Sequence, residues 1–524
     1  MLRTALRGVM LCLMASGFGA DTSFGQHLAV APRLESGMLG AGHPWQTPYY
    51  ISDSGVDGPT VLITGGVHGN EPAGAAAAEQ IRHWPITRGR LIVVPRVNQL
   101  GLDQNTRFIP NAPDEQKDLN RNFPRSKESS QRPRGEIARS LWNFVMAQDP
   151  QWVFDLHEGY EFNRSHQPKA GKDKSVGSSV IYAKDETLHP LAQSMQQAVN
   201  ENVANPDRRF VLLGRGPKVT TLANATRTVL GKKAMILETT YNFQRLPTRT
   251  RQHRTMMSVA LRHLGMIGVD CVDLVAASRS HDPDAQVVVG IYDDSGCSEG
   301  GANNIAAALR QKPGTRVVRL GSHDMRLQVL DQLDVMVFGG GSGSKQAASI
   351  RKEGAEALRS FVAAGGGYVG ICGGAYLCSA HYPWSLNLVD THVFTGTRVV
   401  EGKGPQPMWV RGETTRVDVQ LTDQGRRVFA DFPERIQIKY HNGPIVSPRL
   451  FPGLARYEAL AFFRSEQVLH PPQEGTMIDT PAIVRGVFGE GHVISISPHP
   501  EATEGLEPMV VAAVRAVTPS QHGD

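Results

Sequence analysis

Short β-branched runs that end in glycine, each followed by an alanine- or leucine-rich stretch, recur in two series along the chain. In the first series Val61-Leu-Ile-Thr-Gly-Gly precedes the helix former Gly74-Ala-Ala-Ala-Ala-Glu-Gln-Ile-Arg82. Further strands follow at Arg90-Leu-Ile-Val-Val-Pro, Gln151-Trp-Val-Phe-Asp-Leu-His and Ala234-Met-Ile-Leu-Glu. Ile137, Leu141, Phe144 and Val145 recur at helical spacing between them. Strands that alternate with helices must bury apolar strands on both faces, which predicts an α/β sandwich around a largely parallel sheet. A second series begins at Gln286-Val-Val-Val-Gly-Ile-Tyr. It continues through a helix over 301–310, a strand at Arg316-Val-Val-Arg-Leu, and Asp334-Val-Met-Val-Phe before a glycine loop. A helix over 345–364 and the strand Gly367-Tyr-Val-Gly-Ile complete the cadence of a doubly wound sheet. The polar, Pro-containing Ser278-Arg-Ser-His-Asp-Pro-Asp284 between the series reads as a linker.

Composition narrows the functional classes. With 40% hydrophobic and 20% charged residues the chain can bury real cores and is not disordered. A net charge of +5 is too balanced to mark a nucleic-acid binder, and five cysteines in 524 residues exclude a disulfide scaffold. Arg3 and Arg7 precede the apolar run Gly8–Ala15 and then small residues, the order of a secretory signal peptide. The run is too short for a stable membrane span, which needs roughly 20 residues. The expectation is an exported protein, periplasmic or secreted, with no stable membrane span.

Two constellations carry chemistry. His68-Gly-Asn-Glu71 follows the first strand, and His157 ends another. Two imidazoles and one carboxylate suit Zn2+ with a fourth position left open, as hydrolysis requires. Asn120 and Arg121 sit side by side in Asp118-Leu-Asn-Arg-Asn-Phe-Pro124, where the guanidinium fork suits a substrate carboxylate. Glu238, at a strand end, can accept a proton from the attacking water. In the second series, Gly370-Ile-Cys372-Gly-Gly374 has the spacing of a nucleophile elbow, which exposes a sulfur at a helix start. His499-Pro-Glu501 follows Ile494-Ser-Ile-Ser-Pro. On an extended segment a spacing of two points both side chains the same way, so Glu501 can orient His499 toward Cys372.

On His68-x-x-Glu71, Asp118-Leu-Asn-Arg-Asn-Phe-Pro, Asp155-Leu-His157 and Glu238, roughly residues 45–265 resemble the carboxypeptidase A-like zinc peptidases. That superfamily includes the succinylglutamate desuccinylase/aspartoacylase enzymes and bacterial murein-peptide amidases. The resemblance implies His68, Glu71 and His157 as zinc ligands, Asn120 and Arg121 as the carboxylate anchor, and Glu238 as general base. It also implies Arg107 as the arginine that polarises the scissile carbonyl. Roughly residues 286–515 resemble the class I glutamine amidotransferase-like superfamily, in the group related to the N-terminal domain of eukaryotic biotin-protein ligases. The residues that carry this are Gly339-Gly-Gly341, Gly365-Gly-Gly-Tyr-Val-Gly-Ile-Cys-Gly-Gly-Ala-Tyr376, Tyr440-His-Asn-Gly-Pro444 and His499-Pro-Glu501. It implies a Cys372–His499–Glu501 triad with oxyanion N–H groups from Gly340 or Gly341. Tyr440 and Asn442 either line the pocket or form a structural turn.

The expected architecture is therefore α/β in two domains. A signal peptide over 1–25 precedes a zinc-carboxypeptidase-like α/β/α sandwich over 27–268. A linker over 269–285 leads to a doubly wound, flavodoxin-like amidotransferase domain over 286–518. The expected activity is hydrolysis of an amide next to a free carboxylate in a small peptide, a cell-wall peptide being one candidate. Deacylation of an N-acyl amino acid is the alternative, and the second domain is either a thiol hydrolase or a binding domain. A Cys372 that stays free is favoured over one paired with Cys378 or Cys297.

Overall fold

The computed structural model describes residues 33–126, 132–276, 285–395, 397–400, 402, 404–407, 414–467 and 476–519. The expected signal peptide and linker positions 277–284 lie outside them.

The described residues build two large sheets and two two-stranded ones. In the first, Arg90–Val94, Thr60–Gly65, Trp152–Gly159 and Lys233–Thr240 lie side by side and parallel. These are the four strands that the apolar runs predict, and both faces of the sheet are covered by apolar clusters. The edges are antiparallel additions. The hairpin Arg33–Leu39/Thr47–Asp53 joins one side, and Ser179–Tyr182 with Val211–Leu213 joins the other. The helix Pro72–Ile81 packs close on the sheet because its facing residues are small. A Cβ on Gly74 would lie 2.5 Å from the Leu156 carbonyl oxygen. That approach holds the turn His68–Glu71 over the carboxyl ends of the strands, where ligand sites of such sheets lie.

The second sheet has nine strands. Thr315–Leu320, Val287–Tyr292, Val335–Phe338, Gly367–Ile371 and Gly491–Ile496 form the parallel part, as a doubly wound sheet requires. Pro481–Phe488, Glu458–Phe463, Thr415–Leu421 and Arg435–Tyr440 extend it antiparallel. The helices Glu299–Arg310 and Gly343–Ala363 begin close to the predicted positions, at Ser298 and Ser342 side-chain caps.

The region over 269–285, expected as a linker, is exposed at Val269 and Asp270 and packed beyond them where the structure describes it. Cys271, Val272 and Val275 are buried, and Trp84 donates its indole N–H to the Leu274 carbonyl. The apolar run Cys271-Val-Asp-Leu-Val gives these residues more to gain by burial than by exposure. The helix Leu246–His263 then lies between the halves. Its Arg254, 1% exposed, pairs with Asp324 of the second half at 2.9 Å and donates to Gln80 of the first. Arg245, at the start of that helix, donates to the Cys297 carbonyl at 2.9 Å.

Candidate active sites

His68 and Glu71 form one turn, closed by the Glu71 N–H donating to the His68 carbonyl. Glu71 immediately precedes the helix Pro72–Ile81, and the positive end of the helix dipole favours a carboxylate there. His157 reaches the same point from the strand Trp152–Gly159. Nδ1 of His68 lies 2.7 Å from Glu71 Oε1, and Nδ1 of His157 lies 2.8 Å from Glu71 Oε2. The three ligand atoms lie within 4.8 Å of one another, and all three residues are buried.

Each imidazole is held from behind. His68 Nε2 lies 3.2 Å from Asp118 Oδ1, and His157 Nε2 lies 2.9 Å from Asp155 Oδ2. Asp155 is itself fixed by the Thr64 hydroxyl at 2.7 Å. An N–H given to an aspartate at Nε2 leaves the Nδ1 lone pair facing the cluster, the arrangement that orients metal-binding histidines. Both aspartates lie within the sequence motifs, Asp118 opening Asp118-Leu-Asn-Arg and Asp155 preceding His157 by two, yet neither is among the residues expected to act. The Asp155-Leu-His157 spacing is the missed signal, because a spacing of two on a strand puts both side chains on one face.

The charges around this cluster are tightly balanced. Burial pushes the Glu71 carboxyl up, but the two imidazoles outweigh it and hold the group well below the usual carboxylate range. Burial pushes His157 down, and Asp155 and Glu71 outweigh that and lift it well above its ordinary value. Such a donor set, two imidazole nitrogens and a carboxylate with Nε2 braced, fits a divalent metal such as zinc.

Every residue predicted for this site lines one cleft of about 380 Å³: His68, Glu71, His157, Asn120, Arg121, Arg107 and Glu238. Glu238 stands opposite His157 on the neighbouring strand, and burial is the main cause that raises its carboxyl to about 8. Arg107 Nη1 lies 3.0 Å from Glu71 Oε1. Asn120 accepts from the Leu222 N–H, so its Nδ2 end faces the cluster, 3.1 Å from His157 Nε2. Arg121 donates to the Asn120 carbonyl from the cleft wall. Beneath the cluster, the buried Glu158 accepts from the Ala73 N–H and pairs with Arg249. Neither residue was singled out from the sequence.

The second constellation forms a separate cleft of about 860 Å³. Cys372 sits at φ 48°, ψ −97° between the strand Gly367–Ile371 and the helix Gly373–Cys378. A non-glycine residue held there is strained, as a nucleophile elbow requires. Its thiol is buried and faces the His441 carbonyl at 3.6 Å. His499 Nδ1 lies 2.8 Å from Glu501 Oε1. The extended-segment explanation for this pair is corrected. The strand ends at Ile496, and Pro500–Ala502 form a 3-10 turn that folds Glu501 back onto the ring. Burial pushes His499 down, but Cys372 and Glu501 beside it prevail and raise it to about 10. The other ring nitrogen, Nε2, is buried without a closed hydrogen bond.

Gly340 is required by close approach, because a Cβ there would lie 2.7 Å from His499 Cε1. Gly340, Gly341 and Asn442 line the cleft. Tyr440 does not line it: it is fully buried and donates its hydroxyl to the Gly443 carbonyl, the structural-turn alternative. Cys271, Cys297, Cys372 and Cys378 are all free and all buried, and Cys372 lines the cleft with little of the exposure expected for its thiol. Three aromatic side chains in this cleft, Tyr376, Tyr382 and Trp384, were not anticipated.

Comparison with known proteins follows the same division. Residues 57–170 match the family model of the succinylglutamate desuccinylase/aspartoacylase catalytic domain, and residues 287–401 match that of the biotin-protein ligase N-terminal domain. No curated protein sequence matches. Among solved structures, the tripeptide-bound cell shape determinant Csd4 of Helicobacter pylori is 20% identical, over 42% of this chain and 55% of that one, with a TM-score of 0.34. The chain thus spans about half the length of that protein. An aspartoacylase family protein of Mesorhizobium loti is 21% identical, over 46% of this chain and 72% of that one, with a TM-score of 0.31. The chain joins, on one polypeptide, a catalytic domain similar to the succinylglutamate desuccinylase/aspartoacylase family and a domain similar to the N-terminal part of biotin-protein ligase.

Proposed function

We propose that the first half is a zinc-dependent hydrolase that cleaves an amide bond beside a free carboxylate. The observation that carries this reading is the His68–Glu71–His157 cluster, braced by Asp118 and Asp155 at the floor of a cleft that Arg121 and Glu238 also line. A metal held by these three residues supplies Lewis acidity toward water and the scissile carbonyl. Arg121 and the Asn120 amide bind the substrate carboxylate and so fix which bond lies over the cluster. Arg107 stands at the mouth of the cluster, where its guanidinium can stabilise negative charge developing on the carbonyl oxygen. Glu238 takes the proton from the attacking water and gives it to the departing nitrogen.

Substrates of two kinds fit this chemistry. A carboxypeptidase or peptide amidase acts on a small peptide, a cell-wall peptide included. An N-acyl amino acid deacylase is favoured by the family model matched over 57–170. Incubating the purified protein on peptides and acyl-amino acids, with and without a chelator, and reading products by mass tests both. Chelator-insensitive turnover, or a carboxylate-bearing product that lacks a new free amine, overturns the reading. The basic start, apolar run and small residues of positions 1–25 support action outside the cytosol, and an N-terminal sequence of the mature protein beginning at Met1 overturns that.

In the second half, the strained Cys372 beside His499 and Glu501 supports a thiol hydrolase. The Cys372 thiol passes its proton to His499 while sulfur bonds to the carbonyl carbon. The C–N bond then breaks, and the nitrogen leaves with that proton. Water next cleaves the thioester, its hydroxyl going to the acyl carbon and its remaining proton to sulfur.

A further inference from the structure

The wall of the Cys372 cleft is aromatic. Tyr376 donates its N–H to the Cys372 carbonyl at 3.0 Å, and both residues line the cleft. Tyr382 and Trp384 stack with ring centroids 4.5 Å apart and planes 7° apart, and Tyr376 lies 6.3 Å from Tyr382. His381 meets the Tyr382 ring edge-on at 4.4 Å, and Tyr376 donates its hydroxyl to the Asn442 carbonyl. The loop that carries Tyr382 and Trp384 is tied down by the Leu386 N–H on the Leu377 carbonyl and by the Tyr382 N–H on the Ser385 hydroxyl oxygen. The rings are therefore held in place before anything binds. All three are half-buried and line the same cavity as Cys372 and His499, and at 860 Å³ that cavity is far larger than a small aliphatic amide needs. Lys439 is the one lysine or arginine side chain among its described lining residues.

We propose that this cleft selects acyl groups that bear an uncharged aromatic ring one or two carbons from the reacting carbonyl, as in a phenylalanyl residue. The ring packs on the Tyr376–Tyr382–Trp384 wall and thereby sets the carbonyl over Cys372. Discrimination rests on the ring face, and covalent turnover rests in addition on the reading of Cys372 as nucleophile.

The test uses the full-length protein and activated 4-nitrophenyl esters, whose oxygen leaves in place of the amide nitrogen. N-acetyl-phenylalanyl and N-acetyl-alanyl esters are compared by the rate at which an acyl adduct appears on the Cys372 peptide. A stacked ring adds enough for the phenylalanyl ester to react about tenfold faster. Trp384→Leu should bring that ratio close to one, and Trp384→Phe should keep most of it; Tyr382→Leu serves if Trp384→Leu does not fold. Equal adduct rates in the wild type overturn the aromatic slot and leave the nucleophile standing. Calorimetry of Cys372→Ser with N-acetyl-phenylalaninamide and N-acetyl-alaninamide separates the other case. Tighter binding of the aromatic amide, with no adduct in the wild type, supports the slot and overturns the thiol reaction. Equal binding of the two amides overturns the slot.

Discussion

Five lysine and arginine side chains line the His68–Glu71–His157 cleft: Arg107, Arg121, Lys174, Arg215 and Lys218. The Cys372 cleft presents one lysine and three aromatic rings. The difference is one of how a substrate is held. Cations around a metal-type cluster recognise carboxylates through charge-assisted bonds, whereas stacked rings recognise apolar faces without regard to charge. The two clefts also treat their central groups differently. In the first, aspartates brace imidazoles whose Nδ1 atoms converge on one carboxylate. In the second, a carboxylate braces an imidazole that stands beside a thiol. One helix, Leu246–His263, touches the surroundings of both: Arg249 reaches Glu158 under the metal-type cluster, and the preceding Arg245 holds Cys297 beside the thiol cleft.

The largest expected effect tests whether the clefts act separately. His157→Ala should abolish metal binding and chelator-sensitive hydrolysis, and leave alkylation of Cys372 by iodoacetamide unchanged. Parallel loss of both, read by metal content and peptide mapping, would break the separation. A smaller effect tests what they share. Asp324→Ala leaves the buried Arg254 without its ion-pair partner and should cost about 3–5 kcal/mol of stability, with both clefts affected in a denaturant titration. A variant that unfolds only the second half would show that the helix belongs to one domain alone.

Next in size is the contrast in charge. Arg121→Ala should raise the barrier for carboxylate-bearing substrates by about 1.5–3 kcal/mol, and amidating the substrate carboxylate should cost the wild type a similar amount. Equal turnover of free and amidated substrates would remove the anchor from the comparison. Asp155→Asn should weaken metal affinity by about 10–100-fold while keeping the three ligands, measured by competition with a chromophoric chelator. The smallest effect concerns His499. Its folded pKa of about 10 lies above the ordinary histidine value, so the protonated ring stabilises the fold fully below about pH 6.5, and that contribution is lost as pH rises through 10. The Tm advantage of wild type over His499→Gln should therefore shrink from pH 6 to pH 10, and a gap that widens would reverse the sign of the interaction.

The parallel cores of both sheets were legible in the amino-acid pattern. Apolar, β-branched runs such as Val61–Thr64 and Val335–Phe338 are buried on both faces and carry a strong local signal. His68, Glu71 and His157 were likewise expected in one cleft and Cys372, His499 and Glu501 in the other, because Glu71 and Cys372 sit at turns that short motifs mark. The antiparallel edges were not legible. Strands such as Arg33–Leu39 and Arg435–Tyr440 mix polar with apolar residues and gain their stability from a neighbour distant in sequence. The same reason hid the role of Asp118, which braces His68 from 50 residues away, and the packing of Cys271–Val275 between the halves. Long-range packing alone brings Glu501 to His499 through a 3-10 turn and sets Tyr376, Tyr382 and Trp384 in one cleft with Cys372. Those are properties of chain reversals and side-chain directions, which local pattern does not encode and three-dimensional packing does.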